Sequence, residues 1–395
     1  MNAAPESATA SPELLQQLVD RALAHVTREE WPQARVCLEQ AIGLDARQAA
    51  LHGALGTVFF RLNDFAAAVR AFTTATELAP TEADLWVQRA VAHLQQGEMG
   101  QVEVALRQAL TLQPDDPGAT KLLADFLRQE GRPREAARQY GKLIDKHDDK
   151  AGIGLSLAAC FEALGEWPVV QAALQVVLLA DPAHAGARAA LAGLPAKARA
   201  AQPRPAPAQG GLTVEVCCPT LNRPKEVIRL RNSLPDDCIF TPSLESQPRA
   251  LTLIVNELFQ KSTGDIVIMA ADHLEFKPAC IATVRECFTK QFPDLDGVVG
   301  LNLCNLPHLE RISEYCFLAL GRKFIERFTV GGKYQGVFCP EYYHFYGDTE
   351  FGLFAEKIGR FHYVERAAVC TWHPNVGNAR RHLPYSASRS RKGFD

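Results

Sequence analysis

One helical unit recurs five times down the first half of this chain at a fixed spacing of 34 residues, with unit starts at Leu15, Ala49, Ala83, Pro117 and Ala151. The eighth position of each copy is small: Ala22, Gly56, Ala90, Ala124 and Ala158. The thirty-second is Ala46, Pro80, Pro114, Asp148 and Pro182, so Pro holds three of the five. Small side chains let two helices approach closely, and Pro closes one helical pair before the next begins. Such a unit cannot bury its apolar face alone and must stack on its neighbours, so the period predicts an all-α solenoid.

The unit resembles the tetratricopeptide repeat (TPR). The resemblance implies a concave surface offered to another chain, with chemistry placed elsewhere. Positions two, five, nine and twelve would line the groove, including Val19, Leu23, Gly53, Phe60, Val87, Val91, Lys121 and Leu155, a mixed and weakly apolar set. The Lys/Asn set that clamps a C-terminal carboxylate in chaperone adaptors is missing. So is the Asn ladder of the O-GlcNAc transferases: the sixth positions are Asp20, Ala54, Gln88, Leu122 and Ser156.

A chain of 395 residues exceeds what one core usually supports, so a second domain is expected. The net charge of −3 argues against a general nucleic-acid binder. No apolar stretch approaches the ~20 residues that span a bilayer. Met1 to Glu13 carries no basic and apolar signal-peptide pattern. The eleven Cys follow no CxxC spacing, and nine lie after residue 216. They read as small core residues and reduced thiols, which points to a cytoplasmic protein.

The chain divides into an N-terminus of residues 1–13, expected to be disordered, a solenoid over 14–194 with a capping helix at Ala183 to Leu194, and a Pro/Ala linker over 195–211. Residues 212–377 change character, and a basic tail follows over 378–395. Val214 to Cys218 reads as a strand ended by Pro219, Gln247 to Ser262 as a helix, and Asp265 to Ala270 as an apolar strand. Pro278 to Gln291 reads as a helix, Gly297 to Asn302 as a strand, Phe351 to Ile358 as a helix and Ala367 to Thr371 as the last strand. Alternating strands and helices predict an α/β sheet with mostly parallel strands.

Four segments of this half carry chemistry-bearing residues in a particular order. They are Cys218 to Pro224 after the first strand; Asn256 followed by Ser262 to His273; Tyr346 to Gly352; and Cys370 to Pro374. Their order and spacing resemble the GT-A fold of nucleotide-sugar glycosyltransferases, most like the inverting family 2 type. The overall expectation is α + α/β: a TPR solenoid followed by a GT-A type, Rossmann-like domain. The resemblance implies transfer from a nucleotide-diphosphate sugar to a hydroxyl acceptor. The repeats would bind that acceptor, as a protein, or a partner protein that delivers it.

A loop after the first strand of such a sheet sits at the carboxyl edge, where ligands bind. Thr220, Asn222 and Arg223 would contact a nucleotide there, with Asn256 added by the resemblance; the alternative is an ordinary strand-to-helix turn. Asp272, at the end of an apolar strand, would hold Mn²⁺ or Mg²⁺ against the donor's diphosphate. In the family this is the DxD motif. Here Ala270 replaces its first Asp, and His273 stands where a further acid is often found. The alternative for Asp272 is a loop or capping role. His373, which the resemblance places late in the site, and His273 are candidate ligands beside it; the alternative for His373 is a structural role. Inverting transfer needs one base, which the resemblance assigns to Asp348, with Glu350 its rival; either residue also suits a helix cap. A catalytically inactive GT-A-like binding module on a repeat scaffold is the alternative function, favoured by Ala270. A nucleotidyltransferase would need a Gly-rich phosphate loop, which residues 220–224 lack.

Overall fold

The computed structural model describes residues 12–200, 211–221, 223–245, 251–303, 317–330, 333–334 and 347–371. Most of the segment expected to be disordered, the core of the linker, Asn222, His373 and the basic tail lie outside them. The chain forms two compact units, divided between Lys146 and His147.

The described residues of the first unit form four antiparallel helical pairs. α1 (Pro12–Thr27) packs on α2 (Trp31–Leu44), α3 (Ala49–Arg61) on α4 (Phe65–Leu78), α5 (Ala83–Gln96) on α6 (Met99–Leu112), and α7 (Pro117–Gln129) on α8 (Pro133–Leu143). The second helices of the pairs begin 34 residues apart. Each is preceded by a residue in the left-handed region: Glu29 at φ 58°, Asn63 at 60°, Gly97 at 82° and Gly131 at 70°. Asp64 caps α4 by accepting the Ala67 amide at 3.0 Å, and Asp116 caps α7 through Gly118 and Ala119. Ala34, Ala41, Ala68, Ala75, Ala90 and Ala124 are buried, and the ring of Phe72 fills the space over Gly56. Gly53, expected in the groove, is instead buried and packed against Leu85, because its missing side chain is what lets α3 and α5 meet. Leu23 is exposed; Val19, Phe60, Val87, Val91 and Lys121 are half-buried.

The second unit opens with the fifth pair, α9 (Lys150–Ala163) and α10 (Trp167–Ala180), followed by α11 (Ala185–Ala200). Helix α11 runs through Pro195 into the expected linker, since residues 196–200 are Ala, Lys and Arg, all good helix formers. Beyond it come β1 (Val214–Leu221), α12 (Pro224–Ser233), β2 (Ile239–Glu245), α13 (Leu251–Lys261), β3 (Ile266–Met269), β4 (Leu274–Phe276) and α14 (Cys280–Gln291). Then follow β5 (Val298–Leu303), β6 (Leu318–Gly321), α15 (Arg322–Glu326), the short ribbon β7 (Thr329–Val330) and β8 (Lys333–Tyr334), α16 (Gly347–Lys357) and β9 (Phe361–Thr371). The unit boundary differs from the expected one at 195–211, because α10 packs on α12 and β2. The fifth repeat thus shares a body with the sheet.

Among the described residues, seven strands form one sheet in the order β2-β1-β3-β6-β5-β9-β4. It is mixed: β1 pairs in parallel with β2 and β3, and β5 with β9, while β6 and β4 run against their neighbours. The expectation of a mostly parallel sheet did not include β6 and β4, strands of four and three residues that both run against their neighbours. The central strands are apolar on both faces; Val216, Val267, Ile268, Val299, Leu301 and Leu320 are buried. Pro219 does not end β1. Thr213 and Cys217 direct their carbonyls to the β3 side, accepting from Ile266 and Ala270. Strand alternation places Pro219 on that same side, past the end of β3, where its missing N–H costs no ladder bond.

Candidate functional site

β1 and β3 are parallel neighbours, so their carboxyl ends open at the same edge of the sheet. Thr220 sits near the end of β1, Arg223 at the N-cap of α12, and Asp272 and His273 in the turn from β3 to β4. The Thr220 hydroxyl donates to Oδ2 of Asp272 at 2.6 Å. Nη1 of Arg223 reaches Oδ1 at 3.3 Å, and Nδ1 of His273 stands 3.6 Å from the same oxygen. Four of the residues singled out in the sequence therefore form one cluster around a buried carboxylate. Burial pushes the Asp272 carboxyl up. The His273 ring, the Thr220 hydroxyl and the Arg223 charge outweigh it and hold Asp272 below the ordinary carboxylate value. Asp272 is 8% exposed, whereas the Arg223 side chain is 52% exposed.

The position that the resemblance reserves for a first carboxylate is closed. Ala270 is 1% exposed, and its amide donates to the Cys217 carbonyl at 2.8 Å. Behind Thr220 the Cys217 and Cys218 thiols are buried and pushed well up by desolvation, so neither is a nucleophile. Among the described residues there is no group of three or more His, Cys, Asp or Glu placed to hold a metal ion. Asp272 and His273 are a partial donor set of one carboxylate and one imidazole. Such a pair suits a cation held mainly by phosphate oxygens of a substrate better than a resident ion.

Asn256 is half-buried on α13, a helix that packs on β1 and β2. Asp348 and Glu350 are the second and fourth residues of α16, which begins four residues earlier than expected and so places both inside its first turn. α16 packs on β5 and β9, and only residues 358–360 join it to β9. Since β9 runs the same way as β1, a helix returning along it starts at the carboxyl edge, the edge that carries Asp272.

One further pair escaped the sequence reading. Arg231 of α12 grips Glu166, the N-cap residue of α10, through Nε at 2.8 and 3.0 Å and Nη2 at 2.7 Å, with side chains 1% and 2% exposed. Its signal was a charged residue on the apolar face of Val227, Ile228 and Leu230, a place where an arginine is kept only with a partner.

Residues 54–117 and 98–151 match the family model of the tetratricopeptide repeat, so the N-terminal region is built of TPR repeats, an architecture for binding other chains. Solved structures similar to part of the chain include the MamA protein, 17% identical with a TM-score of 0.42, over 44% of this chain and 95% of that one. Another is YrrB, described as a TPR protein with an unusual peptide-binding site: 17% identical, TM-score 0.40, over 47% of this chain and 93% of its own. A third is a tetratricopeptide repeat protein from Parabacteroides merdae ATCC 43184: 18% identical, TM-score 0.41, over 48% and 77%. No curated protein matches the chain in sequence. No described helix is long and apolar enough to cross a membrane.

Proposed function

We propose that the sheet-bearing unit is a sugar transferase, which binds a nucleotide-diphosphate sugar at the carboxyl edge of β1 and β3, while the TPR array binds the protein acceptor or a partner that delivers it. The observation that carries this reading is the convergence of Thr220 and Arg223 on a buried, ionised Asp272 at the edge where α/β sheets take ligands. In this reading Arg223, held beside Asp272 through Nη1, offers its other guanidinium N–H groups to the diphosphate. Thr220 keeps Asp272 oriented, and Asp272 with His273 would hold a divalent cation carried on the phosphates. The cation would supply charge neutralisation of the departing diphosphate. An acceptor hydroxyl attacks the anomeric carbon, the bond from that carbon to the diphosphate oxygen breaks, and a nucleoside diphosphate leaves. The hydroxyl proton passes to a carboxylate of the α16 first turn, Asp348 or Glu350.

Calorimetry of the full chain with UDP and GDP, with Mn²⁺ or with EDTA, tests the binding step. Binding that needs the cation and disappears in Asp272→Ala supports the reading; absence of binding by the unaltered chain sinks it. The base is tested by turnover. Removing it costs ~10²–10⁴ in rate with binding retained. Asp348→Asn is the expected dead variant and Glu350→Gln the control, and the reverse result moves the role to Glu350.

A second reading has its own observation, the buried Ala270 at the place of a first carboxylate. A binding module that holds a nucleotide without turning it over also fits an edge with a single carboxylate. Nucleotide binding with no sugar transfer or donor hydrolysis, and no effect of either α16 variant, would select it.

A further inference from the structure

In the first and third repeats the residue that precedes the second helix is tied within its own repeat: Glu30 meets His25 at 2.6 Å, and Glu98 meets His93 at 2.6 Å. In the fifth repeat the same two places hold Glu166 and Phe161. With no histidine to meet, and with no cap made to its own helix, Glu166 turns out of the repeat to Arg231. We infer that Glu166 and Arg231 are positioning residues that set the register of α12 and thereby hold Arg223 over Asp272, which makes the fifth repeat a working part of the site. This rests on the reading of that edge as a nucleotide site.

The argument is geometric. α12 has ten residues, a rod of about 15 Å. Arg231 lies in its last turn and Arg223 at its first end, where the Arg223 carbonyl accepts the Val227 amide at 3.3 Å. Asp272 belongs to the β3–β4 turn, a different element, so a slide or rotation of α12 moves Arg223 against a fixed carboxylate. At 3.3 Å that contact is near its outer limit, and shifts of about 0.5 Å decide whether it forms. Apolar contacts of Val227, Ile228 and Leu230 tolerate sliding. A guanidinium fork closed on one carboxylate does not, because its hydrogen bonds hold only over a narrow range of distance and angle.

The test uses the full chain with the double substitution Glu166→Leu and Arg231→Met, an apolar pair of similar volume that such sites accept without loss of fold. A second variant, Arg231→Lys, keeps the charge and loses the fork. Two readouts are taken on each: hydrogen exchange at the amide hydrogens within residues 223–227, of which Pro224 has none, and calorimetry with UDP and GDP. Faster exchange there with an unchanged melting temperature, joined to nucleotide binding weaker by roughly two- to thirtyfold, is the expected result, and Arg231→Lys should fall between the double variant and the unaltered chain. Native exchange and native affinity in the double variant would overturn the inference, as would a normal Arg231→Lys if the double variant does not fold. If the unaltered chain binds neither nucleotide, the reading of the site fails, and exchange at 223–227 still decides the positioning role.

Discussion

Thr220 and Asp272 lie 52 residues apart in sequence and are joined by a hydroxyl donating to a carboxylate oxygen at 2.6 Å. The bond spans the ends of two parallel strands and keeps a negative charge in a nearly buried place. Asp272 is held below the ordinary Asp value of 3.8, so the folded state binds its proton less readily than the unfolded chain. Its stabilisation is therefore complete at pH above 3.8 and is lost as pH falls through the lower folded value.

Thr220→Val should cost about 1–2 kcal/mol at neutral pH, since it removes a hydrogen bond to a charged group. The difference from the unaltered chain should begin to shrink below 3.8 and vanish only as the pH passes through the lowered folded value, beneath which Asp272 is neutral in both states. Chemical denaturation over a series of pH values from 7 downward checks this. A cost that stays constant over the whole series would mean that the hydroxyl matters only for packing.

The turns inside the repeats make a second prediction, with opposite signs at equivalent places. Glu29 holds a left-handed φ of 58° despite its side chain, and Gly131 holds 70° with open space where a Cβ would stand. Backbone strain of about 1–2 kcal/mol for a residue with a Cβ is offset in part by the greater freedom of glycine in the unfolded chain. Glu29→Gly should raise stability by about 0.5 kcal/mol, and Gly131→Ala should lower it by about 1 kcal/mol. Melting curves of the two variants should shift in opposite directions; a shift in the same direction defeats the account.

The 34-residue period was legible because it is carried by residues with a local steric role. Gly97, Gly131 and Gly165, which share that period at the turns, are a further signal that could have been read the same way. β3 and β5 were legible for a similar reason, since both are runs buried on both faces. β4, of three residues, is too short to show a pattern, and β6, four residues like β3, was not read as a strand. Thr220, Arg223, Asp272 and His273 were recognised as polar residues at strand ends, but nothing local says that they meet. Glu166 and Arg231 were missed because a buried ion pair between distant residues has no period. The division into compact units was not legible either: composition marks the Pro/Ala stretch, whereas packing of α10 on α12 decides which helices share a core.

A third prediction separates close packing from helix propensity. A Cβ on Gly56 would lie 2.7 Å from the ring of Phe72, whereas one on Gly43, in α2, meets nothing within 4 Å. Gly56→Ala should destabilise the first unit by about 1–3 kcal/mol through overpacking. Gly43→Ala should stabilise it by about 0.5–1 kcal/mol, because glycine is the poorer helix former. The same change with the same sign at both places would show that Phe72 moves aside freely.

The last prediction concerns where the chain can be cut. Dissection at the Pro/Ala stretch would give residues 212–395 and strip α12 and β2 of the helix that covers them, leaving Arg231 without Glu166. Dissection between Lys146 and His147 follows the contact boundary and leaves the pair intact. Residues 147–395 should therefore be monodisperse and unfold in one cooperative transition, while 212–395 should aggregate or melt at a lower temperature. Within 147–395, Arg231→Met alone should cost about 3–5 kcal/mol, since it strands a buried carboxylate. The paired change Glu166→Leu with Arg231→Met should recover most of that loss, because no charge is then left uncompensated. Calorimetry of the two fragments and two variants decides the matter. If 212–395 is as stable as 147–395, the fifth repeat merely rests on the sheet and the shared body does not exist.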